Sequence, residues 1–143
     1  MRRFAALAPI LLAAASLASA FEAVEFAGGL QGALLATSPP GDMNRVFILE
    51  QAGRIRIVKD GVLLGTPFLD ITAITSTGGE RGLLGLAFHP QFPDSAYLYL
   101  NHTSTDCGSS ECTKIVRYRV DPSDADLALP GSREEILEVA QPW

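Results

Sequence analysis

The stretch Gly79–Phe92 reads GERGLLGLAFHPQF and joins a charged pair to an apolar run that ends in His-Pro. The apolar run Leu83–Phe88 follows a glycine and is stopped by a proline, a pattern that is typical of a fully buried strand. Gly85 lies inside this run, where a glycine usually marks a bulge or the close approach of another backbone or a ligand. The stretch therefore predicts a buried strand with Glu80 and Arg81 at its entrance.

Short strands separated by turns surround this stretch, and no segment has a convincing helical pattern. Asp60 and Gly61 form a dipeptide that is typical of a hairpin turn. The residues from Asp121 to Asp126 are interpreted as a solvated acidic turn. Two consecutive sets of four strands are typical of β-propeller blades. The predicted strands are Arg45–Gln51, Arg54–Lys59, Val62–Leu64 and Pro67–Ile71 in the first set, and Leu83–Phe88, Tyr97–His102, Lys114–Val120 and Glu134–Val139 in the second.

Residues 1–20 have the pattern of a signal peptide. Arg2 and Arg3 precede an apolar run, and a small-residue cleavage signal ends at Ala20. Cleavage before Phe21 would export the mature chain to the periplasm or the cell exterior. The apolar run is shorter than the roughly 20 residues that a membrane helix needs, so no stable membrane anchor is expected.

The chain is acidic, with 11 Lys and Arg against 16 Asp and Glu and a net charge of −5. Removal of the leader takes away two arginines and no acid, which makes the mature chain more acidic still. An acidic chain without a basic cluster is a poor ligand for nucleic acid and for anionic lipid. The charge is accordingly interpreted as a means of keeping an exported protein soluble.

The stretch GERGLLGLAFHPQF closely resembles the glucose/sorbosone dehydrogenase family, the soluble quinoprotein sugar dehydrogenases. A looser resemblance runs from Arg45 to Gln141 through VFILEQAGRIRIV, YLYLNH, RYRV and EEILEVAQP. The resemblance implies a six-bladed β-propeller that holds pyrroloquinoline quinone (PQQ) and calcium. It also implies oxidation of an aldose or a related alcohol, with transfer of the electrons to an external acceptor.

The same resemblance predicts that residues 21–143 are the N-terminal part of such a propeller, with only the first one or two blades present. In the family, a catalytic histidine follows the segment equivalent to Glu134–Val139, so the general base is expected beyond Trp143. The other quinone ligands and the calcium ligands are expected there too, and no catalytic or metal-binding residue is assigned within this chain. By itself the chain is expected to fold poorly and to be inactive, because an unclosed ring leaves strand edges uncovered.

Glu80 is the candidate cofactor-binding residue. Alignment on GLLG places it where sugar dehydrogenases of the family often have a glutamine that contacts the quinone. An ionised carboxylate only accepts hydrogen bonds and would repel the carboxylates of PQQ. Two roles therefore remain open, a contact with the cofactor and a structural ion pair with Arg81. Arg81 is itself a candidate partner for an anion, since guanidinium groups bind carboxylates in a bidentate manner.

The remaining histidines and cysteines have structural interpretations. The resemblance places His89 in a His-Pro turn and not in catalysis, and no pair of histidines has the spacing of a zinc site. His102 lies in a formal glycosylation sequon that matters only in a eukaryotic host. Cys107 and Cys112 lie between two predicted strands of an exported chain and predict a local disulfide.

Two functions fit these features. The first is an exported PQQ-dependent oxidoreductase that acts on the CH-OH group of sugars or related alcohols. The alternative is a secreted, non-enzymatic propeller of the hedgehog-interacting type, for which a carboxylate at Glu80 and the disulfide are equally suitable. The bacterial style of the leader favours the enzyme.

Overall fold

A computed structural model describes residues 21–108 and 111–141. The predicted leader, including Ala20, lies outside the described residues. Within them, nine strands form two antiparallel sheets, and one short 3-10 helix lies between the two sets of strands in the sequence. None of the helices in this part of the chain is long and apolar enough to cross a membrane.

The first sheet has the strand order β1-β2-β3-β4, and β5 also pairs with β3. Asp60 and Gly61 have φ angles of 50° and 80° and join β3 to β4, as the Asp-Gly dipeptide predicts. β1 is not predicted by the sequence, since it shows no alternation and its side chains are mostly exposed. The strands are β1 (Ala33–Thr37), β2 (Arg45–Glu50), β3 (Arg54–Lys59), β4 (Val62–Leu63) and β5 (Leu69–Asp70).

The second sheet follows the 3-10 helix Thr72–Ile74 and has the order β6-β7-β8-β9. Its strands are β6 (Leu83–Phe88), β7 (Tyr97–Ser104), β8 (Cys112–Asp121) and β9 (Asp124–Ala140). β9 begins well before the predicted Glu134, because it passes through a Pro-Gly pair while the β8–β9 register shifts at several bulges. The interpretation of Asp121–Asp126 as a solvated turn is therefore wrong at both ends, because Asp121 is the last residue of β8 and residues 124–126 belong to β9.

β6 has the predicted bounds but is only half buried. Leu83 is buried, whereas Leu84 and Ala87 are exposed. β6 lies at the edge of its sheet, and one of its faces is turned away from the core, so the prediction of a fully buried strand is wrong. The bulge expected at Gly85 is present, as the register with β7 shifts between Leu83 and Gly85.

The core lies between the two sheets. Alternate residues of β2 and β3 face alternate residues of β7 and β8, and burial alternates along most of β3, β7 and β8. The Phe47 ring joins the sheets, with edge-on contacts to Phe68 and Phe88 at 4.9 Å between ring centroids. The largest contributors to the core include Phe47, Leu49, Ile55, Ile57, Phe68, Leu83, Leu98, Leu100, Val116 and Tyr118.

A polar network joins the two sheets near the first residue of β2. The Asp126 carboxylate accepts from Arg45 Nη1 at 3.0 Å and from Lys59 Nζ at 2.6 Å. Burial raises the pKa of Asp126, but the hydrogen bonds from Lys59 and Arg45 outweigh it and leave the pKa below its usual value. Asp126 is thus a link between β9 and the β2–β3 hairpin.

The disulfide joins Cys107 to Cys112 with 5.8 Å between their Cα atoms, as their spacing predicts. Both residues are buried, and Cys112 is the first residue of β8. The bridge therefore closes the connection between β7 and β8.

Replacement of both cysteines by serine is expected to lower the free energy of unfolding by about 2 kcal/mol. A short closed loop removes only modest entropy from the unfolded chain. Thermal unfolding of the full-length protein with and without reductant measures this, and the double-serine variant is the control that should not respond to reductant. A wild-type protein that is equally insensitive would contradict the prediction.

Candidate functional site

The candidate site is the connection that enters β6. We call residues Gly78–Gly82 the Glu80 segment. The Arg81 amide donates to the Gly78 carbonyl at 3.2 Å, so the segment is a tight turn. The Glu80 side chain at its tip is exposed, and its carboxylate has no hydrogen-bond or ion-pair partner among the residues that the structure describes.

The first sheet holds this segment through Gln51, the residue that follows β2. Gln51 Nε2 donates to the carbonyl of Gly79 at 3.0 Å and to that of Arg81 at 2.9 Å. The Gln51 carbonyl accepts from the Leu83 amide at 2.9 Å. Gly82 packs directly against Gln51, because a Cβ atom on Gly82 would lie 2.6 Å from Gln51 Cγ and from its carbonyl oxygen. The segment is therefore fixed before β6 begins.

The second sheet holds the segment through Arg81. Arg81 Nη1 lies 2.7 Å from Glu111 Oε2, and Arg81 Nε donates to the Gly78 carbonyl at 3.1 Å. Glu111 also accepts a hydrogen bond from Ser76, and these bonds from Ser76 and Arg81 lower the pKa of its carboxyl group. Arg81 is thus paired with Glu111, and the ion pair between Glu80 and Arg81 that the sequence left open does not form.

His89 lies in the turn after β6. Its amide donates to the Tyr97 carbonyl at 3.0 Å, and its Nδ1 accepts from the Gln91 amide at 3.2 Å. Both bonds are local to the turn, so the geometry gives His89 a structural role. This position agrees with the role that the resemblance implies.

A cluster of ionisable side chains around the buried Lys114 and His102 lies beside the start of β6 on the inner face of the second sheet. We call it the Lys114 cluster, and it consists of His102, Asp106, Lys114, Arg133, Glu135 and Glu138. Lys114 is only 4% exposed, and its Nζ lies 2.8 to 3.1 Å from three carboxylates. His102 is fully buried and stands opposite Leu83 in the β6–β7 register. No local motif marks this cluster, since it assembles only through strand pairing.

The charges of the cluster compensate one another. The hydrogen bond with Glu135 is the largest contribution that raises the pKa of Lys114, and it outweighs desolvation. Burial raises the pKa of Asp106, but bonds from Ser104 and Lys114 and the charge of Arg133 bring it below its usual value. Burial lowers the pKa of His102, and the charge of Arg133 lowers it further, while Asp106 opposes them. His102 is therefore neutral near pH 7.

We expect the stability of the protein to fall as the pH drops below about 6.5, the pKa of an unperturbed histidine. The unfolded chain then binds a proton at His102 that the folded chain does not bind, because burial of the ring, together with the charges of Arg133 and Lys114, outweighs the opposing charge of Asp106. The slope reaches about 1.4 kcal/mol per pH unit for one proton. Denaturant unfolding of wild type and His102→Gln between pH 7 and about 5 measures it. Equal slopes in the two proteins would contradict this assignment.

Two antiparallel sheets, one of five strands and one of four, pack face to face as the blades of a β-propeller do, with a turn exposed at the entrance of an edge strand. The glucose/sorbosone dehydrogenase family model matches residues 34–138. The chain belongs to this family.

Known proteins similar to this chain include both an enzyme and a protein named for binding. Hedgehog-interacting protein of Mus musculus is 36% identical in an alignment of 127 residues that covers 82% of this chain and 18% of that protein. Quinoprotein glucose dehydrogenase B of Acinetobacter calcoaceticus is 33% identical in an alignment of 97 residues that covers 63% of this chain and 20% of that protein. The PQQ-bound aldose sugar dehydrogenase of Streptomyces coelicolor has a TM-score of 0.62 and 21% identity over 80% of this chain and 32% of that structure. The chain thus spans about a fifth of the length of these curated relatives.

The Glu80 segment offers both hydrogen-bond acceptors and hydrogen-bond donors, which a quinone and a hydroxylated substrate need. Glu80 presents free acceptor oxygens at the surface, and the half-exposed Arg81 guanidinium presents N–H donors beside it. Arg81 suits the carboxylates of PQQ, whereas Glu80 suits a hydroxyl group or a protonated edge of the ligand. These residues therefore fit one edge of such a ligand.

Proposed function

We propose that the protein containing this chain is an exported PQQ-dependent dehydrogenase that oxidises the CH-OH group of an aldose or a related alcohol. PQQ, when bound, supplies the two-electron oxidation, and an external acceptor takes up the electrons. The observation that carries the proposal is the exposed Glu80 segment, which two sheets hold at the position that resembles the quinone contact of the family. The names of the Acinetobacter and Streptomyces proteins support it.

Within this chain we assign two contacts to the ligand. Arg81 donates to an anionic group of the cofactor while Glu111 fixes the orientation of its guanidinium. Glu80 accepts from a hydroxyl group or from a protonated group of the ligand. Calcium belongs to the proposal through the family resemblance alone, and we assign no ligand for it among these residues.

Sugar-dependent dye reduction by the full-length protein tests this function. Purified protein is loaded with PQQ and calcium and assayed with a panel of aldoses, and addition of a nicotinamide cofactor in place of PQQ is the control. We expect turnover only with PQQ, and loss of turnover after chelation of calcium. In a parallel titration, Glu80→Gln should bind PQQ at least as tightly as wild type, because an amide removes the charge repulsion and adds a donor.

A second function has its own support. The match to hedgehog-interacting protein covers more of this chain, at a higher identity, than the match to the quinoprotein. An unpaired carboxylate at the tip of a rigid turn also suits a protein-binding surface. A folded full-length protein that binds no PQQ and reduces no dye with any aldose would refute the enzyme function and favour this non-enzymatic alternative.

We also propose export, with cleavage between Ala20 and Phe21 and a periplasmic or extracellular location. The leader pattern supports this, and so does the full exposure of Phe21, which does not pack against the described part of the chain. Intact-mass analysis of protein from a secreting host tests it. A soluble cytoplasmic product that retains residues 1–20 would refute the proposal.

A further inference from the structure

We propose that Gln51 is the positioning residue of the Glu80 segment, and that it fixes the backbone on both sides of Glu80 for the ligand. The importance of Glu80 to the ligand rests on the proposed function, whereas the positioning itself rests on contacts within this chain. Gln51 lies outside the stretch Gly79–Phe92 and outside the second sheet, and its role is visible only in the folded chain.

The side-chain amide of Gln51 spans Glu80. Its single nitrogen donates to the carbonyls of Gly79 and Arg81, the residues immediately before and after Glu80. An amide nitrogen carries two hydrogen atoms, so these two bonds use its full donor capacity. One side chain consequently holds the carbonyl groups of the residues before and after Glu80.

Gln51 is itself held firmly enough to act as a support. Its amide donates to the Gly32 carbonyl at 2.9 Å, and its carbonyl accepts from the Leu83 amide at 2.9 Å. The first bond ties it to the residue before β1, and the second ties it to the first residue of β6. Since both backbone groups are occupied and Gly82 packs against the side chain, Gln51 has little freedom to move.

Glutamate cannot replace Gln51 in this role. A glutamate has the same length and shape, but its ionised carboxylate would face two carbonyl oxygens and could donate to neither. Below the carboxyl pKa, about 4.3 in an unperturbed glutamate, the protonated acid could restore one of the two bonds. Gln51→Glu therefore removes the donors and adds a negative charge without changing the length of the side chain, and both changes are partly reversible with pH.

Amide hydrogen exchange in the full-length protein tests the positioning directly. We expect peptides that cover the Glu80 segment to exchange about tenfold faster in Gln51→Glu than in wild type, with β2, β3 and β7 unchanged. The ratio between the two proteins should narrow as the pH approaches the carboxyl pKa. Gln91→Glu is the matched control, because Gln91 is exposed in the turn after β6 and its side chain contacts nothing in the segment.

The second measurement is the affinity for PQQ, determined by isothermal titration calorimetry. The midpoint of thermal unfolding is measured for the same proteins. We expect the dissociation constant of Gln51→Glu to rise about tenfold with little change in the midpoint, whereas Gln91→Glu should match wild type. Unchanged exchange in the Glu80 segment would overturn the proposal, and so would faster exchange spread over both sheets with a lower midpoint of thermal unfolding.

Faster exchange in the segment alone, with unaltered PQQ affinity, would show that Gln51 holds the segment but does not position it for the ligand. A wild type that binds no PQQ would refute the proposed function, while the exchange result would still decide whether Gln51 holds the segment.

Discussion

Replacement of Gly82 by alanine is expected to lower the free energy of unfolding by about 3 kcal/mol. Gly82 has a φ of 148°, which side-chain-bearing residues rarely adopt. The added Cβ would also lie 2.6 Å from the Gln51 carbonyl oxygen, a backbone atom that Leu83 already engages. Strain and overlap act together here, and neither can be relieved by a side-chain rotation.

Gly61→Ala is the matched control for this substitution. Gly61 also has a positive φ, at 80°, but nothing lies within 4 Å of a Cβ at that position. Its replacement should cost only about 1 kcal/mol, the price of the backbone conformation alone. Denaturant unfolding of the two variants measures the difference. Equal losses would show that contact with Gln51 adds nothing, and would weaken the case for a fixed Glu80 segment.

Replacement of Lys114 by methionine is also expected to lower the free energy of unfolding by about 3 kcal/mol. Methionine keeps most of the volume and removes the charge. Asp106, Glu135 and Glu138 would then face one another without their shared cation, although each remains partly exposed to water. The loss therefore falls at the lower end of what breaking a buried ion pair costs.

The pH dependence separates this effect from lost packing. The pKa of Asp106 is lowered in the folded chain, so its contribution is complete above about pH 3.9 and is lost as the pH falls through the folded pKa. The difference between Lys114→Met and wild type should therefore shrink in acid. Arg54→Met is the control, since the exposed pair of Arg54 and Asp70 should contribute less than about 1 kcal/mol. A difference that stays constant down to pH 3 would argue for packing alone.

Local sequence signals predict the strands and turns well where one signal dominates. The Asp60-Gly61 turn and the alternation of Arg54–Lys59 both give elements that the structure has at the same positions. β1 is not predicted from the sequence, because its residues are mostly exposed and do not alternate between apolar and polar. The first part of β9 is not predicted either, because a Pro-Gly pair normally indicates the end of a strand. Here β9 is an edge strand, and its bulges accommodate the pair.

The candidate site is harder to predict, because its contacts join residues that are far apart in the sequence. The position of Glu80 follows from the resemblance. Glu80 does not form an ion pair with Arg81, because Arg81 pairs with Glu111, which lies 30 residues further along the chain. The roles of Gln51 and Lys114 likewise depend on the register of strands and on the packing of one sheet against the other. No local pattern encodes such pairings, so only the folded chain identifies them.

The two ends of the first sheet are joined to the second in different ways, and together they limit how the sheets can move. Asp126 joins them at the beginning of β2, and Gln51 joins them just beyond its end. A pair of sheets connected at both ends cannot hinge or slide about either connection without breaking the other. A ligand at the Glu80 segment would meet a surface already in its binding shape, and would lose little affinity to the ordering of the protein.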